Sequence, residues 1–383
     1  MNNKNKKYLL QSALILSIVS LFIFFATNAQ INMSNRGLQF GFGFLNREAS
    51  FDIQFTLIEY SRSSTYLRAY LVGLLNTILV AFFGIIFATI LGVIVGIARL
   101  SKNYLINNLA SAYVELFRNL PLLLQLFFWY YAALRVLPLP QDAGEFFFSS
   151  YLTIKALYLP ALRWENFYVF LTLFIISIFL IIVTKFYTKK IQEKDGTQFP
   201  IFLISVAILL ILPSLSLIFG FSSFSIEKPE LLKLSETTYT FEGGLEIPPE
   251  FIALLFALSL YTATFIAECV RAGIEAIGKG QKEAAASLGL NPNLVLKLIV
   301  MPQALRVIIP PTTNQYLNLT KNSSLASAIA YPDLALVFAG TALMQTGKAI
   351  EIVSMVMFTY LLLSILTSVL MNWYNKKQQI TEK

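Results

Sequence analysis

Eight apolar runs recur along the 383 residues, each closed by polar or charged segments. They cover residues 9–26, 70–98, 121–137, 167–186, 199–221, 251–267, 294–319 and 352–373. About 20 consecutive apolar residues in a helix cross the hydrocarbon layer of a bilayer. Inside that layer a helix satisfies its own backbone groups. The pattern therefore predicts an all-α integral membrane protein with about eight transmembrane helices. The first run follows Lys4, Lys6 and Lys7 and resembles the start of a secretory signal, with a weak cleavage site at residues 27–29. It is long for a signal core, so an uncleaved first span is expected.

The polar segments read as loops. Residues 28–65, 138–166 and 222–250 are predicted to be polar loops, the last one acidic. Residues 320–350 are predicted to be a loop with a short apolar helix near 325–330. Residues 109–118 read as an interfacial helix in which Glu115 and Arg118 can pair. Within the second run, Gly84, Ala88, Gly92 and Gly96 recur every fourth residue. They form one stripe on which another helix can approach closely, and a partner subunit is the expected occupant.

Composition agrees with a membrane protein. The chain is 56% hydrophobic and 13% charged, against about 25% charged in soluble domains. The net charge of +8 fits membrane topology better than nucleic-acid binding, because the basic residues flank apolar runs. With eight spans and both ends cytoplasmic, 17 of the 29 Lys and Arg residues fall in the inside segments, as the positive-inside rule requires. There is no histidine and a single cysteine, Cys269. This excludes histidine-ligated metal, Ser-His-Asp or Cys-His chemistry and an internal disulfide. No G-x-x-x-x-G-K-[ST] loop is present, so any ATP is bound by another subunit.

Residues 267–311 hold the most specific pattern. Residues 281–288 are predicted to form a short helix with Gly280 at its N-cap and Glu283 at its third position, facing the positive end of the helix dipole. Gly289 is the expected left-handed residue at its end. Asn291 and Pro292 read as N-cap and first residue of the next helix. The bland reading is a surface helix between two spans.

The spacing resembles something sharper. Glu283-Ala284-Ala285, three residues, Gly289, nine residues, Ile299, one residue and Met301-Pro302 resemble the EAA loop of ATP-binding cassette (ABC) import permeases. Met301 stands where that pattern prefers leucine, a volume-conserving change. Residues 113–127, YVELFRNLPLLLQLF, and 317–327, LNLTKNSSLAS, are similar to stretches of polar amino acid permeases. The longer members of that group, the general L-amino acid and glutamate/glutamine/aspartate permeases, also carry extra spans. The resemblance implies a type I permease fold with a cytoplasmic coupling helix at Glu283, Ala284, Ala285 and Gly289. It implies an inner-membrane location and three kinds of partner: an ABC ATPase dimer, a second homologous permease subunit and a periplasmic amino acid-binding protein. It implies no catalysis and no cofactor in this chain, with ATP used by the partner. The expected division is an extra span and outer loop (1–65), the first part of the permease core (66–137), an insert with two spans (138–250) and the core with the EAA loop (251–383).

Polar groups inside spans are costly and tend to face a cavity or another helix. Asn314, Asn318 and Lys321 share one helix face beyond Pro310 and Pro311. With Asn76, Thr77 and Gln125 they are candidates to meet the carboxylate and ammonium of an amino acid in transit. The same amides can instead hold helices together. Glu268 and Arg271 suit an ion pair better than a gate. Arg306 can reach the cytoplasm, pair with Glu268 or line the path. An ion-coupled secondary transporter is the alternative function, but it leaves the EAA spacing without a reason. A membrane enzyme would need a reactive set that the chain lacks.

Overall fold

The computed structural model describes residues 3–35, 40–236 and 238–378. In chain order, α1 is Asn3–Asn35, α2 Tyr66–Ala98, α3 Tyr104–Asn119 and α4 Leu122–Phe127. The helix of α4 continues through a π turn and a 3-10 turn to Val136. Four strands follow: β1 Glu145–Phe147, β2 Ser150–Leu152, β3 Leu157–Leu159 and β4 Ala161–Glu165. Next come α5 Phe167–Asp195, α6 Ile201–Ile218, β5 Ser223–Glu227, β6 Glu230–Lys233, β7 Tyr239–Glu242 and β8 Leu245–Ile247. The chain closes with α7 Pro249–Glu275, α8 Lys279–Ser287, α9 Pro292–Val295, α10 Met301–Asn322, α11 Leu343–Thr346 and α12 Ala349–Gln378.

Six helical segments among the described residues are long and apolar enough to cross a membrane: Tyr66–Ala98, Phe167–Asp195, Ile201–Ile218, Pro249–Glu275, Pro292–Ile329 and Ala349–Lys377. Shorter apolar helices occupy Leu122–Val136 and Ala335–Thr346. The helical fold class stands. The expected span 9–26 lies inside the 33-residue α1, the expected span 121–137 corresponds to the shorter helix Leu122–Val136, and Ala335–Thr346 is an apolar helix where a loop is expected.

The chain divides into two compact units, Met1–Trp129 with Ala253–Lys383, and Tyr130–Ile252. In the first unit α2 is the central element. Thr65 caps it by accepting from the Arg68 N–H. Its small residues let neighbours come close. A Cβ on Gly92 would lie 2.7 Å from Ile266 Cβ on α7, and one on Gly96 would lie 2.7 Å from the Ala267 carbonyl. At Gly84 the neighbour is Leu319 of α10, and Ala88 is fully buried. The stripe therefore packs within this chain, and the expectation that it faces a partner subunit is corrected. The interfacial helix is longer than expected. α3 starts on the Asn103 cap, whose Oδ1 accepts from the N–H groups of Leu105 and Ile106. Ala110 and Val114 seat it against Val95 and Ala267. Arg118 lies 5.6 Å over the Phe265 ring, and no ion pair joins it to Glu115 among the described residues.

Two expected loops are built structure. From residue 40 to 65 the chain folds over the start of α2. Phe44 and Ala49 are buried with Tyr66, Leu334, Phe338 and Ile352 in one apolar cluster. The Gly41 N–H donates to Oε1 of Glu351, a fully buried carboxylate in the first turn of α12, where a negative charge is favoured by the helix dipole. Residues 320–350 are likewise ordered. α10 runs to Asn322, a 3-10 turn fills Ser323–Ile329, and a π-helical segment at Ala335–Ala342 buries Val337, Phe338 and Ala342. Its entry is held by Asp333, whose carboxylate accepts from the Leu336 N–H and the Tyr360 hydroxyl.

In the second unit α5 and α6 pack on each other, and their apolar side chains are largely exposed, as lipid-facing helices are. The segments on either side of this hairpin carry short antiparallel strands in place of the expected loops. One sheet has the order β1-β2-β3-β8, and β4 pairs β5 and β6 pairs β7. Tyr158, Ala156 and Phe241 form a small core there. Trp164 packs against Phe167, Phe170 and Phe224 where β4 turns into α5.

Candidate functional site

The loop between α7 and α10 is built from capping residues. α8 starts at Lys279 with Gly278 as N-cap, two residues earlier than the sequence suggests. Glu283 is therefore the fifth helical residue and not the third, so it is farther from the free N–H groups than expected. Gly289 does adopt the left-handed conformation, φ +76°, and its N–H donates to the Ala286 carbonyl while Leu290 donates to Ala285. Such paired bonds satisfy the last carbonyls of a helix. Asn291 then caps α9, accepting from the Leu294 N–H at 2.9 Å, with Pro292 as first residue. Ala285 is buried against the rest of the loop, whereas Glu283, Ala284, Ala286 and Ser287 are exposed.

Leu288 was missed. It ends α8 and is 81% exposed, a large apolar side chain on an otherwise polar, small-residue surface. The signal was available: a leucine next to the predicted left-handed glycine has no helix face to share with the core.

Above the loop, charged residues tie α2 to α7. Glu268 binds both Arg99, the C-cap of α2, and Arg271 (2.5 Å), and Arg271 also reaches Glu275 at 2.5 Å. The Glu268–Arg271 pair is thus part of a four-residue network. Arg306 is not in it, and its Nε and Nη2 are buried without a hydrogen-bond partner among the described residues.

The six polar span residues separate into two groups. Asn76, Thr77 and Gln125 are buried and bound to main chain. Asn76 Nδ2 donates to the carbonyls of Phe55 and Pro332, both at 2.9 Å, which joins the outer loop, α2 and the turn after α10. Thr77 Oγ1 accepts from the Leu334 N–H and donates to the Gly73 carbonyl. Gln125 Nε2 donates to the carbonyls of Phe117 and Leu120, bracing the start of α4. Asn314, Asn318 and Lys321 are different. All three are exposed, on a strip of α10 that continues from Val307 and Pro310. Polar groups on a membrane-spanning helix are costly against lipid, so this strip calls for a polar neighbour or a water-filled path. Pro310 and Pro311 sit inside α10 just before it. Each lacks the N–H that would bond one turn back, which frees two successive carbonyls and makes a bending point.

On the outer loop, an open groove of about 530 Å³ is lined by Glu59, Tyr60, Arg68 and the hydroxyl residues 61 and 63–65. Beside it the Arg62 guanidinium hydrogen-bonds Asp52 at 2.6 Å and holds its carboxyl below the usual range. Burial, helped by the charge of Asp52, pushes the Tyr60 hydroxyl up to about 12. Among the described residues no cluster of His, Cys, Asp and Glu could hold a metal ion.

The exposed, capped elbow at α8 thus hangs between two candidate spans of a helical membrane protein. The chain belongs to the family described as binding-protein-dependent transport system inner membrane component, which matches residues 88–380. Two relatives match nearly end to end. The general L-amino acid transport system permease protein AapQ of Rhizobium johnstonii is 44% identical, covering 99% of this chain and 94% of the relative. The glutamate/glutamine/aspartate/asparagine transport system permease protein BztB of Rhodobacter capsulatus is 38% identical, covering 98% and 94%.

Proposed function

We propose that this chain is the transmembrane permease subunit of an ATP-driven importer that moves amino acids, polar or general L-amino acids, from the periplasm to the cytoplasm across the inner membrane. The observation that carries this reading is the elbow at α8, exposed and closed by Gly289, in a chain that is similar to amino acid permeases over nearly its whole length. In this reading α8 docks on an ABC ATPase dimer, which binds and hydrolyses the ATP. This chain binds no cofactor and carries out no catalysis. A second, homologous permease subunit covers the polar strip of α10, and a periplasmic binding protein delivers the amino acid. Both termini are cytoplasmic.

In this reading the path runs along α10. Closure of the ATPase dimer moves α8, α8 moves the root of α10, and α10 bends at Pro310-Pro311. Asn314, Asn318 and Lys321 lie just beyond the bend and meet the amino acid between the two subunits. Asn76, Thr77 and Gln125 serve the packing of this subunit. Uptake of labelled acidic, amide, basic and small L-amino acids by cells with and without this chain tests the function. Loss of uptake of at least one class on deletion is expected, and unchanged uptake of all classes overturns it. Asn318→Leu tests the path: it should lower uptake or change amino acid preference while the complex assembles normally. Wild-type uptake across the panel would remove this strip from the path.

A further inference from the structure

Two contacts tie the loop that carries α8 to the helices that flank it. The first is the crossing of α7 and α10. A Cβ on Gly273 would lie 2.3 Å from Ile308 Cγ1 and 3.2 Å from the Ala304 carbonyl, so only glycine lets the helices meet there. Ala304 and Ile308 are buried at this crossing. The second lies one residue before Ala304. Gln303 turns back along the loop, and its Nε2 donates to Gln281 Oε1 on α8 at 2.6 Å and to the Ile299 carbonyl at 2.9 Å. A single amide thus joins α8, the π turn at Leu296–Val300 and α10. Ala285, Val295 and Val300 are buried in this part of the chain. The backbone route from Gln281 to Gln303 is 22 residues long and includes the left-handed Gly289 and the break between α8 and α9, where a push can be lost as local bending. The amide bridge bypasses that route.

From this we infer that Gln303 is a positioning residue for energy coupling: its bond to Gln281 makes α8 and the root of α10 move as one body, so that each ATPase stroke reaches the bend at Pro310-Pro311. The inference rests on the function proposed above and adds to it the residue that sets the yield of transport per ATP. Gln303 is half-buried and Gln281 exposed, so neither is needed to fill the core. Loss of the bond leaves the outer surface of α8 free to dock. It lets α8 slip against α10 when pushed.

The test uses the complete complex, with both permease subunits, the ATPase and the binding protein, reconstituted in liposomes. Amino acid uptake and ATP hydrolysis are measured together. Gln303→Ala should leave assembly and hydrolysis near the wild-type values and lower the uptake-to-hydrolysis ratio roughly threefold or more, as loss of one hydrogen bond allows. Gln281→Ala should give the same loss, and the double variant no more than either single one, because both remove the same link. Gln303→Lys keeps a donor for Gln281 Oε1 and the Ile299 carbonyl and should recover most of the ratio. A wild-type ratio in Gln303→Ala, additive losses in the double variant, or no recovery in Gln303→Lys overturns the inference. Failure of the underlying function looks different, because the wild-type complex would then show no ATP-driven uptake at all.

Discussion

Leu288 and Gly289 stand side by side and contribute in different ways. Leu288 exposes four-fifths of its surface at the end of α8. If α8 docks as proposed, burying this leucine in the partner's groove contributes about 1.5–3 kcal/mol. Leu288→Asp should weaken binding of the ATPase about tenfold or more while the chain still inserts and folds. Co-purification of the ATPase at graded concentrations measures this, and undiminished binding would mean that Leu288 points away from the groove. Gly289 has no atom within 4 Å of the place a Cβ would take. Within this chain, any cost of Gly289→Val therefore comes from its left-handed backbone, roughly 1–2 kcal/mol, and not from a clash with a neighbouring residue.

At the scale of elements, α2 shows what the sequence can and cannot reveal. Its small-residue stripe was legible, because Gly84, Ala88, Gly92 and Gly96 repeat at helical spacing. What the stripe faces was not, because close approach looks the same whether the neighbour is in the same chain or another. Since Gly92 abuts Ile266 and the Ala263 carbonyl, overpacking there should destabilise the subunit itself by about 1–3 kcal/mol. Gly92→Ala should lower the thermal midpoint of the purified subunit in detergent, and Val93→Leu, at an exposed position, should leave it unchanged. Equal midpoints would mean that α2 and α7 separate more easily than their packing implies. The long spans were readable because lipid demands a continuous apolar run. The end of α8 and the start of α9 were readable because Gly289, Asn291 and Pro292 each have a specific backbone use, whereas the start of α8 lies two residues before the expected Gly280 cap. The folded outer loop was not, since its buried residues, Phe44 and Ala49, follow no period. Ala335–Thr346 was not, since a run of that length is too short to span and its burial depends on residues far away in sequence. Asn76 carries the same lesson for the site: a lone amide in a span reads equally as path or packing, and its partner at Pro332 is 256 residues away.

For the whole molecule, the second unit provides a compact probe of which side of the membrane each end occupies. β4 leads into α5, and β5 follows α6. The two strands pair along their length, with Glu165 opposite Ser223. That pairing requires the start of α5 and the end of α6 to lie on one side of the bilayer. α5 is 29 residues long and α6 18, so at 1.5 Å per residue even the shorter helix extends about 27 Å, close to the hydrocarbon thickness. The turn between them, at Gly196, must then lie on the opposite side. The last turns of α5 before it carry Lys185, Lys189, Lys190 and Lys194, whereas the strand side holds Glu227, Glu230, Glu236 and Glu242. The positive-inside rule puts the lysine end in the cytoplasm. Single cysteines replacing Lys190 or Glu236, both exposed, in a Cys269→Ala background should separate cleanly. A membrane-impermeant maleimide added to intact cells with a permeable outer membrane should label the position of Glu236 at once and that of Lys190 only after the inner membrane is opened. Labelling of both from the outside would break the hairpin topology. Labelling of Lys190 alone would invert the hairpin.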